Sequence, residues 1–424
     1  MRAGAAQVCI TPPVGADLCG FVAREQPSTG FRDDLYVRAV YLEQGGERLL
    51  WVHADLIGFM REWLAPLGAT LGAELGLQQR QMLFSATHTH SGPATVALRE
   101  CGRLDERYLG YLAARMQEAA RRAVAHPEPV TLRSAEGRCG LGRDRRKPGS
   151  NAHADPALPV LMFERPDGSP LAILANYAMH NVGFGHENRR ISADIAGAAA
   201  RWIGSQFPGE PVVLVTNGGC GNVNPPAYSN DAACVDGWGQ ELGEAVLSAV
   251  RDGGSRAAPQ IASARETLAL PLAVLSADAV QAEFERVRRG VRADTPIGAR
   301  VLRAAAAWRE SALAQLASGG PAPIPVDLQV VRIGPAAFVA VGAEVFSRLA
   351  VDLRATRGPH VYVVGYAHGV FGYLPPREVH AEGGYEITDA HRYYPANFPV
   401  APGAFELVRE QALALLAASA RRPY

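Results

Sequence analysis

Lysine is almost missing from this chain: Lys147 is the only one among 424 residues, and the rest of the positive charge is arginine. Basic and acidic residues balance at 42 each, so no surplus of either sign draws the protein onto nucleic acid or an anionic membrane. The arginine excess, beside abundant alanine, reads as a coding bias rather than a binding surface. Long apolar runs are also lacking, and none reaches the ~20 residues that span a bilayer. The amino end, Met1 to Pro13, is interrupted too early by Pro12-Pro13 to serve as a secretory signal, so a soluble cytoplasmic protein is expected. Cysteine is sparse and irregular. Cys9, Cys19, Cys101, Cys139, Cys220 and Cys234 form no CxxC pair and no regular framework, which predicts free thiols in a reducing compartment. No internal repeat or low-complexity linker marks a second domain. With 48% hydrophobic residues, the chain is read as one large α/β domain over 1–424, built of layered mixed β-sheets flanked by helices.

What is present is organised around Gln81 to Pro93. The apolar first half reads as a buried strand, and Ser91-Gly92-Pro93 turns the backbone out of the sheet. Side chains alternate along a strand, so His88 and His90 are expected on one face, able to converge on one ion or one substrate atom. The same spacing also fits a pair of hydrogen-bonded structural histidines. The company these residues keep elsewhere in the chain decides between the two.

Strands are predicted at 3–11, 35–43, 48–54, 130–138, 158–164, 170–178, 211–216, 259–270, 326–332, 336–342 and 360–365. Helices are predicted at 59–76, 105–125, 195–206, 229–252 and 403–418, with a helical pair, a candidate arm, over 276–318 broken near Thr295-Pro296. Strand 48–54 delivers Asp55, suited either to orienting a ligand imidazole or to capping the next helix. Strand 170–178 delivers His180, a second histidine at the exit of an apolar run, with His186 and Glu187 as minor candidates beyond it. Strand 211–216 opens into Asn217 to Pro226, a glycine loop whose N–H groups can approach a ligand but which lacks the lysine of a phosphate loop. Cys220, among glycines, reads as inert. Glu344 stands where a strand gives way to a helix, suited to a site or to a helix start. Arg143 to Gly149 is a basic loop whose guanidinium groups can clamp a carbonyl. The long glycine- and tyrosine-rich segment after residue 365 reads as functional.

Several of these stretches together resemble the catalytic domain of the neutral/alkaline, non-lysosomal ceramidases, in order over nearly the whole chain. They are Ser85-Ala86-Thr87-His88-Thr89-His90-Ser91-Gly92-Pro93, His180 with Ile191-Ser192-Ala193-Asp194, Gly219-Cys220-Gly221-Asn222-Val223-Asn224-Pro225, Gly342-Ala343-Glu344, and Glu382-Gly383-Gly384-Tyr385-Glu386. The resemblance implies zinc held by His88, His180, Glu344 and Tyr385. It also implies His90 beside the attacking water or the scissile carbonyl, and Arg145, or else Arg143, as the active-site arginine. Two imidazoles, a carboxylate and an open position suit a hydrolytic zinc, although manganese or iron accept the same donors.

Two departures shape the expectation. Asn224 stands where these enzymes carry a serine, so it is expected to stabilise an oxyanion rather than supply a hydroxyl. The family's immunoglobulin-like domain is also expected to be lacking, since residue 424 follows soon after the catalytic domain. The expected function is a zinc-dependent hydrolase cleaving a linear amide (N-acyl) bond of a soluble small molecule. Amide formation or acyl transfer at the same zinc, and non-catalytic binding of a metal or ligand, are the alternatives. A small-molecule amide is the expected partner, with no nucleic acid and no membrane span; self-association into a homo-oligomer stays open.

Overall fold

A computed structural model describes residues 1–147 and 153–420, so Pro148 and Gly149 of the basic loop lie outside the described residues. Three sheets carry the fold. The first runs in the order β4 (Met82–Ala86), β3 (Glu47–Ala54), β2 (Tyr36–Gln44), β1 (Arg2–Cys9), with Glu128–Pro129 at its far edge. The second runs β8 (Val212–Asn217), β7 (Pro170–Tyr177), β6 (Ala157–Glu164), β5 (Thr131–Arg138), then Ser255–Arg256. The third is β9 (Ile261–Leu270), β10 (Ile324–Ile333), β11 (Ala336–Val341), β12 (Val361–Val364).

Each sheet is antiparallel except for one pair. Those pairs are β3 with β4, β7 with β8 and β11 with β12, all parallel. Parallel neighbours need a long crossover, and a helix supplies it each time: α1 (Arg61–Leu75), α3 (Asp194–Ser205) and α7 (Arg348–Arg357). The sequence shows no repeat, yet the chain builds the same strand-helix-strand unit three times. The carboxyl ends of a parallel pair lie side by side, which is where open α/β sheets bind ligands. The six loops leaving these strands supply most of the site described below.

The inner faces of the sheets meet in one core that includes Trp51, Phe163, Leu174 and Phe338, with Trp51 and Phe338 packed edge to face at 5.5 Å. Helices cover the outer faces: α1 and α2 (Glu106–Ala125) on the first sheet, α3 and α4 (Ala232–Gly253) on the second, α7 and the C-terminal helix (Ala404–Ala420) on the third. Strands β4, β7 and β11 are buried at every position, which explains their unbroken apolar sequence. Among the described residues no helix is long and apolar enough to cross a membrane.

The helical pair is α5 (Ala277–Gly290) and α6 (Pro296–Ala317), with Thr295 capping α6 through Gly298 N–H at 3.1 Å and Pro296 in its first turn. Trp308 of α6 is fully buried beside Phe398, and its indole N–H donates to Asn397 O at 2.7 Å. Arg303 reaches Glu100 at 2.9 Å and Arg392 pairs with Glu283, so the pair buttresses the segment that follows residue 388.

Two local expectations are corrected. Asp55 neither orients an imidazole nor caps a helix: its carboxylate pairs with buried Arg38 at 2.7 Å and accepts from Tyr36 N–H at 2.9 Å, locking β2 to the exit of β3. Glu344 does not start a helix. It lies in a two-residue strand, Glu344–Val345, paired with Tyr373–Leu374, and α7 begins four residues later.

Candidate metal centre

His88 follows β4, but not as a strand residue. Its backbone is left-handed, φ 58°, so strand alternation is not what aims it. Its N–H donates to Leu56 O at 2.8 Å and its Nδ1 lies 2.6 Å from Ile57 O, both acceptors on the loop leaving β3. His180, after β7, has Nδ1 2.6 Å from Cys220 O on the loop leaving β8. In both rings a carbonyl faces Nδ1 and can only accept, so Nδ1 carries the proton and Nε2 a lone pair. These lone pairs meet Glu344, whose Oε2 is 3.0 Å from His180 Nε2 and 3.4 Å from His88 Nε2. The other oxygen of Glu344 accepts from the Tyr394 hydroxyl.

His90 closes the group. Its Nε2 is 3.1 Å from His88 Nε2, and one ring nitrogen from each of His88, His90 and His180 falls within 4.8 Å of the others. Gly20, at φ 109°, permits this: a Cβ there would sit 2.4 Å from His90 Nδ1. Arg24 holds the His90 carbonyl at 2.6 Å.

The electrostatics suit a cation. Burial pushes the His180 pKa down to about 4, and burial with the neighbouring His88 and His180 holds that of His90 well below its usual value. Burial alone would raise the Glu344 carboxyl, but the imidazoles of His88 and His180 against it hold it well below the carboxylate range, as a metal cation among the three would. Buried lone pairs facing one another repel unless a cation lies among them. Separations of 3.0 and 3.4 Å from Glu344 Oε2 to the two imidazole nitrogens are close to the edge of a zinc tetrahedron, about 3.3 Å for bonds of about 2.0 Å. The donor set therefore fits a divalent metal, and each imidazole of the Glu344 pair has its second nitrogen anchored on a carbonyl, as ligand histidines require.

Outside this group lies a cavity of about 790 Å³. Arg145 lines it with Nε 2.8 Å from Glu386, its guanidinium 5.3 Å from the Tyr373 ring centre, and Arg146 takes the other Glu386 oxygen at 2.6 Å. Arg143 instead turns back onto the carbonyls of Leu141 and Gly142, both at 3.1 Å. Asn224 lines the cavity, its amide donating to the Tyr228 hydroxyl at 2.9 Å, and sits in a short ladder against Arg143. Tyr385 lines it too, 46% exposed, its ring edge-on to Tyr373 at 5.9 Å, with no hydroxyl hydrogen bond among the described residues.

Other phenols lie nearer the histidines. Tyr366 stacks on His88 at 3.9 Å with its hydroxyl 3.4 Å from His180 Nε2, Tyr394 bonds Glu344, and Tyr373 is the backbone partner of Glu344. Sequence reasoning placed these tyrosines in a functional segment without assigning them roles. The recurrence of tyrosine near glycine was the available signal. Asn181 was missed altogether and Asn217 was read only as the start of the glycine loop; the amides of both donate to Thr87 O. Cys220 is not a nucleophile here: burial pushes its thiol up to about 12, and it rests 3.2 Å from the Tyr366 hydroxyl. His186 sits at the cavity rim near Phe21, and Glu187 accepts from Asn230.

No established family profile matches the sequence. Solved structures do. Neutral ceramidase from Pseudomonas aeruginosa aligns over 100% of this chain and 75% of its own length, with TM-score 0.77 at 19% identity. A ceramidase complexed with C2 aligns over 100% of this chain and 76% of its own, with TM-score 0.78 at 18% identity. From end to end, this chain has the fold of a neutral ceramidase, and a possible metal site of three histidines lies within it.

Proposed function

We propose that the protein is a metal-dependent hydrolase of linear amides, with zinc held by His88, His180 and Glu344 and with Tyr385 as the fourth donor. One observation carries this reading: Glu344 Oε2 lies 3.0 and 3.4 Å from two imidazole nitrogens whose rings have already committed their protons to carbonyls. A divalent ion bound there would supply an activated water at neutral pH and polarise the amide carbonyl. The ceramidase folds and the sequence resemblance supply the reaction class.

The chain's own residues do the rest. Arg145, held by Glu386 and Tyr373, orients the substrate carbonyl with the edge of its guanidinium that Glu386 leaves free. His90, kept neutral by burial, takes up a proton at a ring nitrogen and returns it to the departing amine. Asn224, paired with Tyr228, offers its amide to the developing negative charge. Ile57, Leu98 and Val182 line the cavity and shed water from the reacting atoms.

The test is metal content and turnover of an N-acyl amide panel in wild type, His88→Ala and His180→Ala. About one zinc per chain and amide cleavage are expected in wild type, and less than one-tenth of each in the variants. Full zinc and full turnover in both variants would rule the reading out.

A further inference from the structure

The peptide group that joins Thr87 to His88 is held at both ends. Its N–H, on His88, donates to Leu56 O at 2.8 Å, and its carbonyl, on Thr87, accepts from two side-chain amides, Asn217 Nδ2 at 2.8 Å and Asn181 Nδ2. A carbonyl oxygen has two lone pairs, and here each has its own donor. Asn181, Asn217 and Thr87 are all buried, so these bonds are made out of reach of bulk water.

The two amides have one consistent orientation. Ala196 N–H, in the first turn of α3, can only donate, so the atom of Asn181 lying 2.8 Å from it is oxygen. The nitrogen of Asn181 then faces Thr87 O and, at 3.1 Å, Asn217, which must meet it with oxygen. That leaves the nitrogen of Asn217 for Thr87 O. Turning either amide over would set oxygen against oxygen.

The three residues come from three strand exits. Thr87 follows β4, Asn181 is the residue after His180 beyond β7, and Asn217 ends β8. The main-chain carbonyl of Asn217 accepts from Gly365 N–H, just past β12, at 3.1 Å, and that of Asn181 accepts from His90 N–H at 3.3 Å. The His88 and His180 rings, centred 4.9 Å apart, are therefore spaced from behind, through the backbone that carries them.

His88 needs such a hold. Its backbone is left-handed, at φ 58°, a conformation that a residue with a Cβ keeps only where its surroundings over-determine it. With Thr87 O released, the peptide can turn toward an extended conformation and draw the ring off Ile57 O, 2.6 Å from its Nδ1.

We propose that Asn181 and Asn217 are positioning residues of the metal centre: by fixing the carbonyl of Thr87 they hold the His88 and His180 rings at metal-binding separation before an ion arrives. The inference rests on the reading of both histidines as ligands. Neither asparagine lines the cavity, so their effect passes through His88 and not through contact with substrate.

The experiment compares the full wild-type chain with Asn181→Asp and Asn217→Leu. The first keeps an oxygen for Ala196 N–H and removes both donors; the second removes a donor from Thr87 O at similar size without burying a charge. Either suffices should the other not fold. Zinc affinity, by chelator competition, is expected to fall about tenfold or more in each, and the visible absorption of the cobalt-loaded protein to change with it. In chelator, imidazole NMR spectra are expected to show His88 as a single Nδ1–H tautomer in wild type and as a mixture in the variants. His53, held by Ser85 and Val215 O in the core, is expected to keep its signal in all three. The proposal is overturned if zinc affinity holds, if the His88 signal in chelator stays that of wild type, or if His53 shifts with it, which would make the asparagines supports of the fold alone. Should wild type bind no zinc, the metal reading itself fails, and the His88 signal in chelator still decides whether the two amides set that ring.

Discussion

The inner and outer halves of the candidate site are built by opposite means. Inside, His88, His180 and Glu344 leave the ends of fully buried strands, and main-chain carbonyls of neighbouring loops fix the two imidazoles. Outside, the cavity wall is a long irregular segment whose Glu386 clasps Arg145 and Arg146, and whose Arg392 clasps Glu283 and Asp389. Carbonyl anchors are as rigid as the sheets that supply them. Side-chain clasps hold only as long as their charges do. The inner half therefore belongs to the global fold, whereas the wall is a unit that can loosen alone.

Glu386→Gln is the sharpest way to break that comparison. Glu386 is 4% exposed at its side chain, and its loss leaves two guanidiniums facing a neutral amide. A fully buried pair costs about 3–5 kcal/mol to break; because both arginines reach the cavity, on the order of 2–3 kcal/mol is expected here. Hydrogen exchange should show the loss confined to residues 375–397, with metal content unchanged. Equal loss of metal would mean that the two halves are one unit.

Tyr394→Phe probes a side-chain bond between the halves, since Tyr394 belongs to the wall and its hydroxyl donates to Glu344. Supporting partners of ligands are worth 10–100-fold in metal affinity. Because Glu344 keeps both histidine contacts, the low end is expected, about tenfold weaker binding in chelator competition with little change in global stability. Unchanged affinity would show that the outer half plays no part in holding the metal.

This contrast also explains what the sequence made legible. Strands β4, β7 and β11 are buried on both faces, so each reads as an apolar run with a polar residue at its exit, and His88, His180 and Glu344 stood out for that reason. The ceramidase-like fold was expected from the resemblance of the motifs around those exits, in their order, to that family, and the fold agrees. The ladders that join loops, Arg143–Asp144 with Val223–Asn224 and Glu344–Val345 with Tyr373–Leu374, are two residues long and have no period to detect. His88 reaches its place through a left-handed backbone that residue type does not announce. Tyr366, Tyr373, Tyr385 and Tyr394 lie outside any long strand or helix, so neither strand nor helix periodicity says which of them turns toward Glu344. Asp55 shows the converse: its position at a strand exit suggested chemistry, and a buried Arg38 two strands' width away in sequence took it for the core.

The halves also differ in proton uptake. Burial lowers the pKa of His53, in the inner core, to about 3, and that of His391, in the wall, to about 4. His53 is locked neutral by Ser85 at 2.9 Å and Val215 O at 3.1 Å, whereas both ring nitrogens of His391 lack partners among the described residues and its ring lies against Trp308. Each folded-state value is depressed, so the unfolded chain takes up a proton that the fold refuses. Stability from each is present above about pH 6.5 and is lost as pH falls toward the folded value. For His391 the loss between pH 7.5 and 5 amounts to about 2 kcal/mol. His391→Phe keeps the ring against Trp308 and removes the titration. Urea unfolding in the presence of chelator should then show a pH slope reduced by one proton, with the remaining slope, which includes His53, intact. An unchanged slope in the variant would place His391 in contact with water, and the wall would then be open at the very point where α6 supports it.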